Sequence, residues 1–183
     1  MPNPFSLGTH VDRPKQFGLL NSFGRQKMIR KATTEDIPIL IALQRSIEAE
    51  NAIRGYSADS AGTWAKRDLA WALLATVETQ PVGFVYCSPR PYSGECVFPD
   101  RCKILEIVDL VIAPANRGRG LGHELLAAIQ RQAREKGFTH LRVYSAAKRF
   151  DDILKFYRSC GFTPWYLEMT KEIGAEPSGA GDG

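Results

Sequence analysis

Arginine and glycine alternate in Arg117-Gly118-Arg119-Gly120-Leu121-Gly122, a few residues after the apolar run Val108–Ile112. Leu121, Leu125, Leu126, Ile129 and Ala133 then recur at helical spacing. A strand, a glycine-rich loop and a helix start together make an anion site out of backbone. Glycines let amides approach a phosphate closely, and the helix N-terminus adds partial positive charge. Arg117 and Arg119 add fork-shaped donors. The anion is not a nucleoside triphosphate of the Walker type, because His123 and Glu124 follow Gly122 where that loop needs Lys and Ser or Thr. The spacing Gly118-x-Gly120-x-Gly122 also misses the dinucleotide pattern. A plain tight turn is the competing reading of the glycines alone.

Two carboxylates, Glu106 and Asp109, interrupt the apolar run Lys103–Ile112. A strand covered on both faces is apolar throughout, and a carboxylate there is costly without partners. Each acid is therefore a functional candidate or one half of a buried ion pair, with an arginine such as Arg142 as a partner. Residues three apart face opposite sides of a strand unless a bulge intervenes. Tyr157, beside Phe156, reads from the residues alone as a core tyrosine on an amphipathic helix.

The elements that must position these groups alternate along the chain. Strands are expected at 28–32, 72–78, 82–88, 103–112, 139–145 and 165–171, the second and third joined through Thr79-Gln80-Pro81. Thr34 is the expected cap of a helix with Ile37, Leu40, Ile41 and Ile47 on one face. A second helix is expected over Ala58–Ala70, and a third ends at Lys136-Gly137. Asp151 or Asp152 should cap a fourth, closed by Gly161. This order fits a single-domain α/β protein, a mixed sheet with helices on both faces. Residues 1–27 lack periodicity and read as a poorly ordered extension, 28–173 as the domain, and the glycine-rich 174–183 as a disordered tail.

The whole chain bounds the function classes. Its 183 residues suit one domain, and 44% hydrophobic with 24% charged residues is ordinary for a globule. The formal net charge of +4 suits an anionic cofactor and is too small to argue for nucleic acid. No apolar run approaches the ~20 residues of a membrane span. Cys87, Cys96, Cys102 and Cys160 show no Cys-x-x-Cys pairing, and His10, His123 and His140 are scattered, so no metal is expected. Reduced thiols and a cytoplasmic location are the matching expectation.

The loop from Arg117 to Gly122 resembles motif A of the GCN5-related N-acetyltransferases (GNAT), Arg/Gln-x-x-Gly-x-Gly/Ala, with Arg117, Gly120 and Gly122 in its places. Met28-Ile-Arg-Lys-Ala-Thr-Thr-Glu-Asp-Ile is similar to the family's first strand and helix cap, and Phe156-Tyr157-Arg158-Ser159-Cys160-Gly161-Phe162 to its motif B ending. The resemblance covers roughly Met28 to Ile173 and implies a mostly antiparallel GNAT sheet. It also implies acetyl-CoA as co-substrate and direct transfer of its acetyl group to a primary amine. Leu110, Val111 and Ile112 would hold the acetyl and pantetheine groups, with an oxyanion near the Val111 amide. Arg117, Gly118, Arg119, Gly120, Leu121 and Gly122 would hold the pyrophosphate, the glycines more than the arginine side chains. Asp109 matches the acid of aminoglycoside-modifying members, Glu106 the base of histone-type members, and Tyr157 the general-acid tyrosine. Phe150 stands where many members have asparagine, so one cofactor hydrogen bond is lost or supplied otherwise. The acceptor stays open between a small amine such as an aminoglycoside and a protein amine. Neither a nucleic acid nor a membrane is an expected partner, and a homodimer is compatible with the fold. The alternative function is a non-catalytic acyl-CoA-binding module.

Overall fold

The computed structural model describes residues 26–92, 94, 98–165 and 168–169. Five strands lie in sequence order: β1 (Lys27–Lys31), β2 (Ala72–Val77), β3 (Gln80–Arg90), β4 (Ile104–Ile112) and β5 (His140–Val143). The first three pairings are antiparallel and β4–β5 is parallel. The helices are α1 (Ile37–Glu50), the single turn α2 (Ala61–Trp64), α3 (Leu121–Glu135) and α4 (Phe150–Ser159).

The sheet separates two cores. On one face α3 presents Leu121, Leu125, Leu126, Ile129 and Ala133 to Val85, Cys87, Leu105 and Ile107, and Phe156 and Tyr157 of α4 join them. On the other, Leu40, Ile41 and Ile47 of α1 and Trp64 of α2 pack on Phe84, Tyr86 and Val111. The helix faces were legible from their 3.6-residue period, whereas β2 and β3 are buried on both faces and read as apolar runs.

Three local expectations change. The start of α1 is built by Thr33 and Asp36 rather than Thr34. The Thr33 amide donates to Asp36 Oδ2 at 2.8 Å, and Arg30 clamps that carboxylate at 2.6 and 2.7 Å. These bonds, Arg30 foremost, hold the Asp36 carboxyl down to about 2. The Ala58–Ala70 helix is broken. Ser60 caps α2 by accepting from the Thr63 amide at 3.1 Å, and Asp68 accepts from Ala70 to start a separate 3₁₀ turn, Leu69–Trp71. Short side-chain acceptors compete with a continuous helix in this way. Asp151 and Asp152 sit inside the first turn of α4, where Arg149 is the cap residue. The C-terminal stops behave as expected, with Gly137 at φ 77° and Gly161 at φ 86°. The expected strand 165–171 lies largely outside the described residues, as do residues 1–25 and 174–183.

Strand β4 carries the feature that matters for a site. Tyr86 pairs with Asp109 and Cys87 with Ile107, so Val108 is an extra residue opposite β3. Beyond the bulge β4 is held tightly. A Cβ on Gly83 would lie 2.5 Å from the Val111 carbonyl oxygen and 2.6 Å from Ile112 Cδ1. Gly83→Ala must push β3 and β4 apart. We expect a loss of about 1–3 kcal/mol in urea unfolding, the usual cost of overpacking. An unchanged midpoint would show that the contact yields. Asp36→Asn removes a carboxylate whose ionisation is favoured by folding. Its contribution is present above pH ~4 and fades as pH falls toward 2. In the variant the acid end of the stability–pH curve should therefore be flatter.

Candidate active site

β5 pairs with β4 only from Ile104↔His140 to Ile107↔Val143, while β4 continues to Ile112. The two strands part at the bulge, leaving five residues of β4 with one open edge. The Ala113 amide donates to the Val82 carbonyl at 2.8 Å, which fixes the phase of the antiparallel ladder. Backbone groups alternate between neighbours along such a strand. Asp109 and Val111 therefore turn their amides toward β3, and Leu110 and Ile112 turn theirs to the open edge. The Val111 amide is thus not the one that faces the gap, contrary to expectation. The Ile112 carbonyl oxygen, on the open edge, accepts from Arg117 Nε at 3.1 Å.

The gap opens into a cleft of about 1780 Å³ lined by β4, β5, the α3 N-terminus and α4. At one end lies the glycine loop. Gly118 and Gly120 have φ of 71° and 80°, in the left-handed region, and Gly120 is the residue from which α3 starts. The amides of Leu121, Gly122 and His123 fall in the first helical turn, which has no intrahelical acceptor. A Cβ on Gly122 would come within 3.1 Å of the Phe156 ring. Bare amides, a helix dipole and no side chains to cover them fit a phosphate. The side chain of Arg117 is turned away, its Nη2 paired with Glu50 of α1 at 2.7 Å. Lys27 braces the loop from β1, donating to the Arg119 carbonyl at 2.9 Å and to Glu124 at 2.7 Å.

The bulge has a second consequence. By strand alternation Glu106 and Asp109 would face opposite sides, but the extra residue brings both to the α1 face, where Glu106 lies opposite Ser88 and Asp109 opposite Tyr86. Their surroundings differ. Glu106 is gripped by two arginines. Arg142 Nε and Nη2 donate to one oxygen at 3.0 and 2.8 Å, and Arg90 Nε and Nη2 to the other at 3.0 and 2.8 Å.

Asp109 is 6% exposed and lines the cleft. Its Oδ1 accepts from the Tyr56 hydroxyl at 3.0 Å, and its Oδ2 from Gln44 Nε2 at 3.2 Å and Arg67 Nη1 at 3.3 Å. Arg67 Nη2 meanwhile pairs with Asp59 at 2.8 Å. The guanidinium lies between the rings of Trp64 and Tyr86, 4.3 and 4.5 Å from their centroids. Gln44 is fixed by four bonds. Its oxygen accepts from Trp64 Nε1 and the Asp59 amide, and its nitrogen donates to Asp59 and Asp109. Burial pushes the Asp109 carboxyl above its usual range, against the opposing pull of Arg67. Burial likewise raises Tyr56, next to the Asp109 charge, so that its hydroxyl stays a donor.

Tyr157 reaches the cleft from the opposite face of the sheet. Its ring packs edge-on against Phe156 and Phe162 at 5.1 and 5.3 Å. Burial raises its phenol, with Cys160 and Cys87 adding to the rise. Burial therefore keeps the phenol in its protonated, donor form.

Tyr56, Arg67 and Gln44 were missed in the sequence reading. They lie 42 to 65 positions from Asp109 in the chain, and no spacing rule connects them. Neighbouring acids are engaged elsewhere: Glu50 with Arg117, Glu48 with the Ala58 amide, and Asp68 in its turn. Trp64 and Trp71 are core, Trp165 lines the cleft, and Tyr166 and Cys96 lie outside the described residues. Phe150 is half exposed at the rim. Among the described residues no cluster of three His, Cys, Asp or Glu side chains could hold a metal, and no helix is long and apolar enough to cross a membrane.

A splayed parallel pair, a bulged central strand and a glycine-loop helix start point to one protein family, and the acetyltransferase (GNAT) domain family matches residues 68–164. The chain belongs to this family. No curated protein matches it in sequence. Its fold resembles aminoglycoside N-acetyltransferase AAC(6')-Iy, solved in complex with CoA, at 18% identity and a TM-score of 0.63 over 85% of this chain and all (100%) of that one. It also resembles an aminoglycoside acetyltransferase from an uncultured soil metagenomic sample, at 23% identity and a TM-score of 0.58 over 82% of this chain and 97% of that one. A predicted acetyltransferase from Clostridium acetobutylicum, solved with acetyl-CoA, gives 18% identity and a TM-score of 0.61 over 79% and 96%. At these identities the likeness is one of fold. As a GNAT domain, the chain has the architecture of an acyltransferase.

The buried cluster predicts its own energetics. Arg67→Met leaves Asp59 and Asp109 close together without their shared cation. We expect a loss of about 3–5 kcal/mol in chemical denaturation, as for other broken buried pairs. Adding Asp109→Asn should recover part of it, because one unpaired charge is then gone. Additive losses would mean that Arg67 acts through ring stacking rather than charge.

Proposed function

We propose that the protein transfers an acetyl group from acetyl-CoA to an amine, by direct attack and with no covalent enzyme intermediate. One observation carries this reading. The open edge of β4 runs straight into the bare amides of the glycine loop, with Asp109 at the head of that edge. This arrangement offers one continuous surface to a long, thin co-substrate with a phosphate at one end and a reactive carbonyl at the other.

The residues fit such a co-substrate. The amides at the start of α3, with Gly118, Gly120 and Gly122, would hold its pyrophosphate. The edge groups of Leu110 and Ile112 would pair with the pantetheine as a further strand would, and their amides are the donors available to a carbonyl oxygen. Arg117 and Arg119 contribute backbone, since Arg117 spends its side chain on Glu50. Bound acetyl-CoA would supply the activated acyl group as a thioester.

Asp109 is the general base in this reading. Oδ1 carries one hydrogen bond, from Tyr56, and so keeps a lone pair for a proton. An incoming ammonium gives that proton to Asp109, and the resulting neutral amine is the nucleophile. A carboxyl whose proton affinity is raised by burial suits this task. Tyr157, on the far side of the gap, protonates the departing thiolate and takes up the second proton that the nitrogen sheds on forming the amide. The first proton leaves Asp109 for solvent. Glu106 is assigned a structural role, its two oxygens being occupied by Arg90 and Arg142.

Calorimetry with acetyl-CoA should show micromolar binding that Gly120→Glu abolishes. Thiol release with an amine acceptor should fall by about 10²–10⁴ in kcat for Asp109→Asn, and substantially for Tyr157→Phe, as for lost general base or acid catalysis. In the wild type the acid limb of the kcat/KM profile should lie above the ordinary carboxylate range, activity falling as pH drops through it. Binding without turnover of any amine would instead identify an acyl-CoA-binding module. Failure of the folded protein to bind acetyl-CoA would overturn the proposal.

A further inference from the structure

We infer that Lys27 is a positioning residue for the co-substrate, which shields the phosphate site at the start of α3 from the carboxylate of Glu124. The inference rests on the acetyl-CoA reading. It concerns Lys27, Arg119 and Glu124, which flank the glycine loop outside the cleft lining.

Glu124 stands in the first turn of α3, the turn whose amides would take the pyrophosphate. An acid there suits a bare helix, because it offsets the positive end of the dipole. It does not suit a helix start that must accept a phosphate, since two anions then compete for the same partial charge. The carboxylate is also close. A Cβ on Gly120, the residue from which α3 starts, would lie 3.7 Å from Glu124 Oε1. A phosphate seated on this loop is repelled by that charge, and salt screens the repulsion.

Lys27 answers the carboxylate. Its Nζ lies 2.7 Å from the same Oε1 and donates to the Arg119 carbonyl at 2.9 Å. The first contact neutralises Glu124. The second ties the ammonium to the residue between Gly118 and Gly120, both of which are left-handed. Lys27 reaches the loop from the first residue of β1, one position ahead of the domain boundary expected at 28. Arg117 is committed to Glu50, so the charge set against Glu124 comes from β1. The side chains of Lys27 and Glu124 are 37% and 42% exposed. An ion pair this exposed contributes little to folding, typically ~1 kcal/mol or less. Its consequence falls instead on the anion that the loop receives.

The test is calorimetry of the full chain with acetyl-CoA in about 0.05 M and about 0.5 M salt. We expect Lys27→Met to weaken binding about three- to fivefold at low salt, the size of one exposed charge interaction, and less at high salt. Glu124→Gln should bind at least as tightly as the wild type. Combining Lys27→Met with Glu124→Gln should restore affinity to within about twofold of the wild type, because the charge to be shielded is then gone. A double variant as weak as Lys27→Met alone would overturn the inference, since Lys27 would then act on the loop or the phosphate directly. A loss that salt leaves unchanged would overturn it too, as would unaltered affinity in Lys27→Met. Each of these leaves the acetyl-CoA reading standing. A folded wild-type protein that does not bind acetyl-CoA would overturn both.

Discussion

One inserted residue governs this molecule. Were Val108 paired in register as an ordinary strand residue, Ile107 and Asp109 would share a face, and Asp109 would point into the aliphatic layer beneath α3. An unpaired carboxylate in that layer would cost several kcal/mol or lose its charge. The insertion turns Asp109 to the α1 face, among groups that can hydrogen-bond it. It also ends the pairing with β5, since a parallel partner cannot follow a strand that bends away. The open edge and the buried acid therefore share one physical cause. Their adjacency follows from the bulge and needs no separate explanation.

The two faces then divide the chemistry. Asp109 approaches the gap from the α1 side with its hydrogen-bonding partners, and Tyr157 from the α3–α4 side with aromatic ones. Both groups are raised by burial, yet the effect differs in kind. Raising a carboxyl makes it a better proton acceptor, and raising a phenol keeps it in the protonated, donor form. A sheet with separate cores on its two faces keeps these environments apart while the splay lets both reach one cavity.

What could be read from the sequence follows from range. The faces of α1 and α3, the loop glycines and the closing residues Gly137 and Gly161 are set by neighbours within a few positions, and periodicity reports them. The cluster at Asp109 is non-local. Gln44, Tyr56, Asp59 and Arg67 come from a helix, a crossing segment and the turn after α2, which meet only when α1 packs on the sheet. The false helix over 58–70 has the same origin. Ser60 and Asp68 divert it, and the break at Lys66–Arg67 frees the guanidinium to lie between Trp64 and Tyr86. The bulge left only a faint signal, two acids three apart in an apolar run, whose common face is intelligible with one residue inserted. The side-chain role of Arg117 was hidden too, because its partner Glu50 lies 67 positions away.

Glu106 and Asp109 stand on the same strand and, after the bulge, on the same face, so their roles must be separated by surroundings. Glu106 receives four N–H donors from two guanidiniums. A proton arriving there would displace two pairs of charge-assisted hydrogen bonds. Asp109 shares one guanidinium with a second carboxylate, at a single N–H contact of 3.3 Å, and its cluster is in excess by one negative charge. A proton arriving there neutralises the excess and breaks no bidentate pair. The same arithmetic applies to an ammonium ion. In the proposed reading cation recognition and proton acceptance fall to one site, while β4 uses its other acid to tie β3 and β5 together at the end where they stay paired.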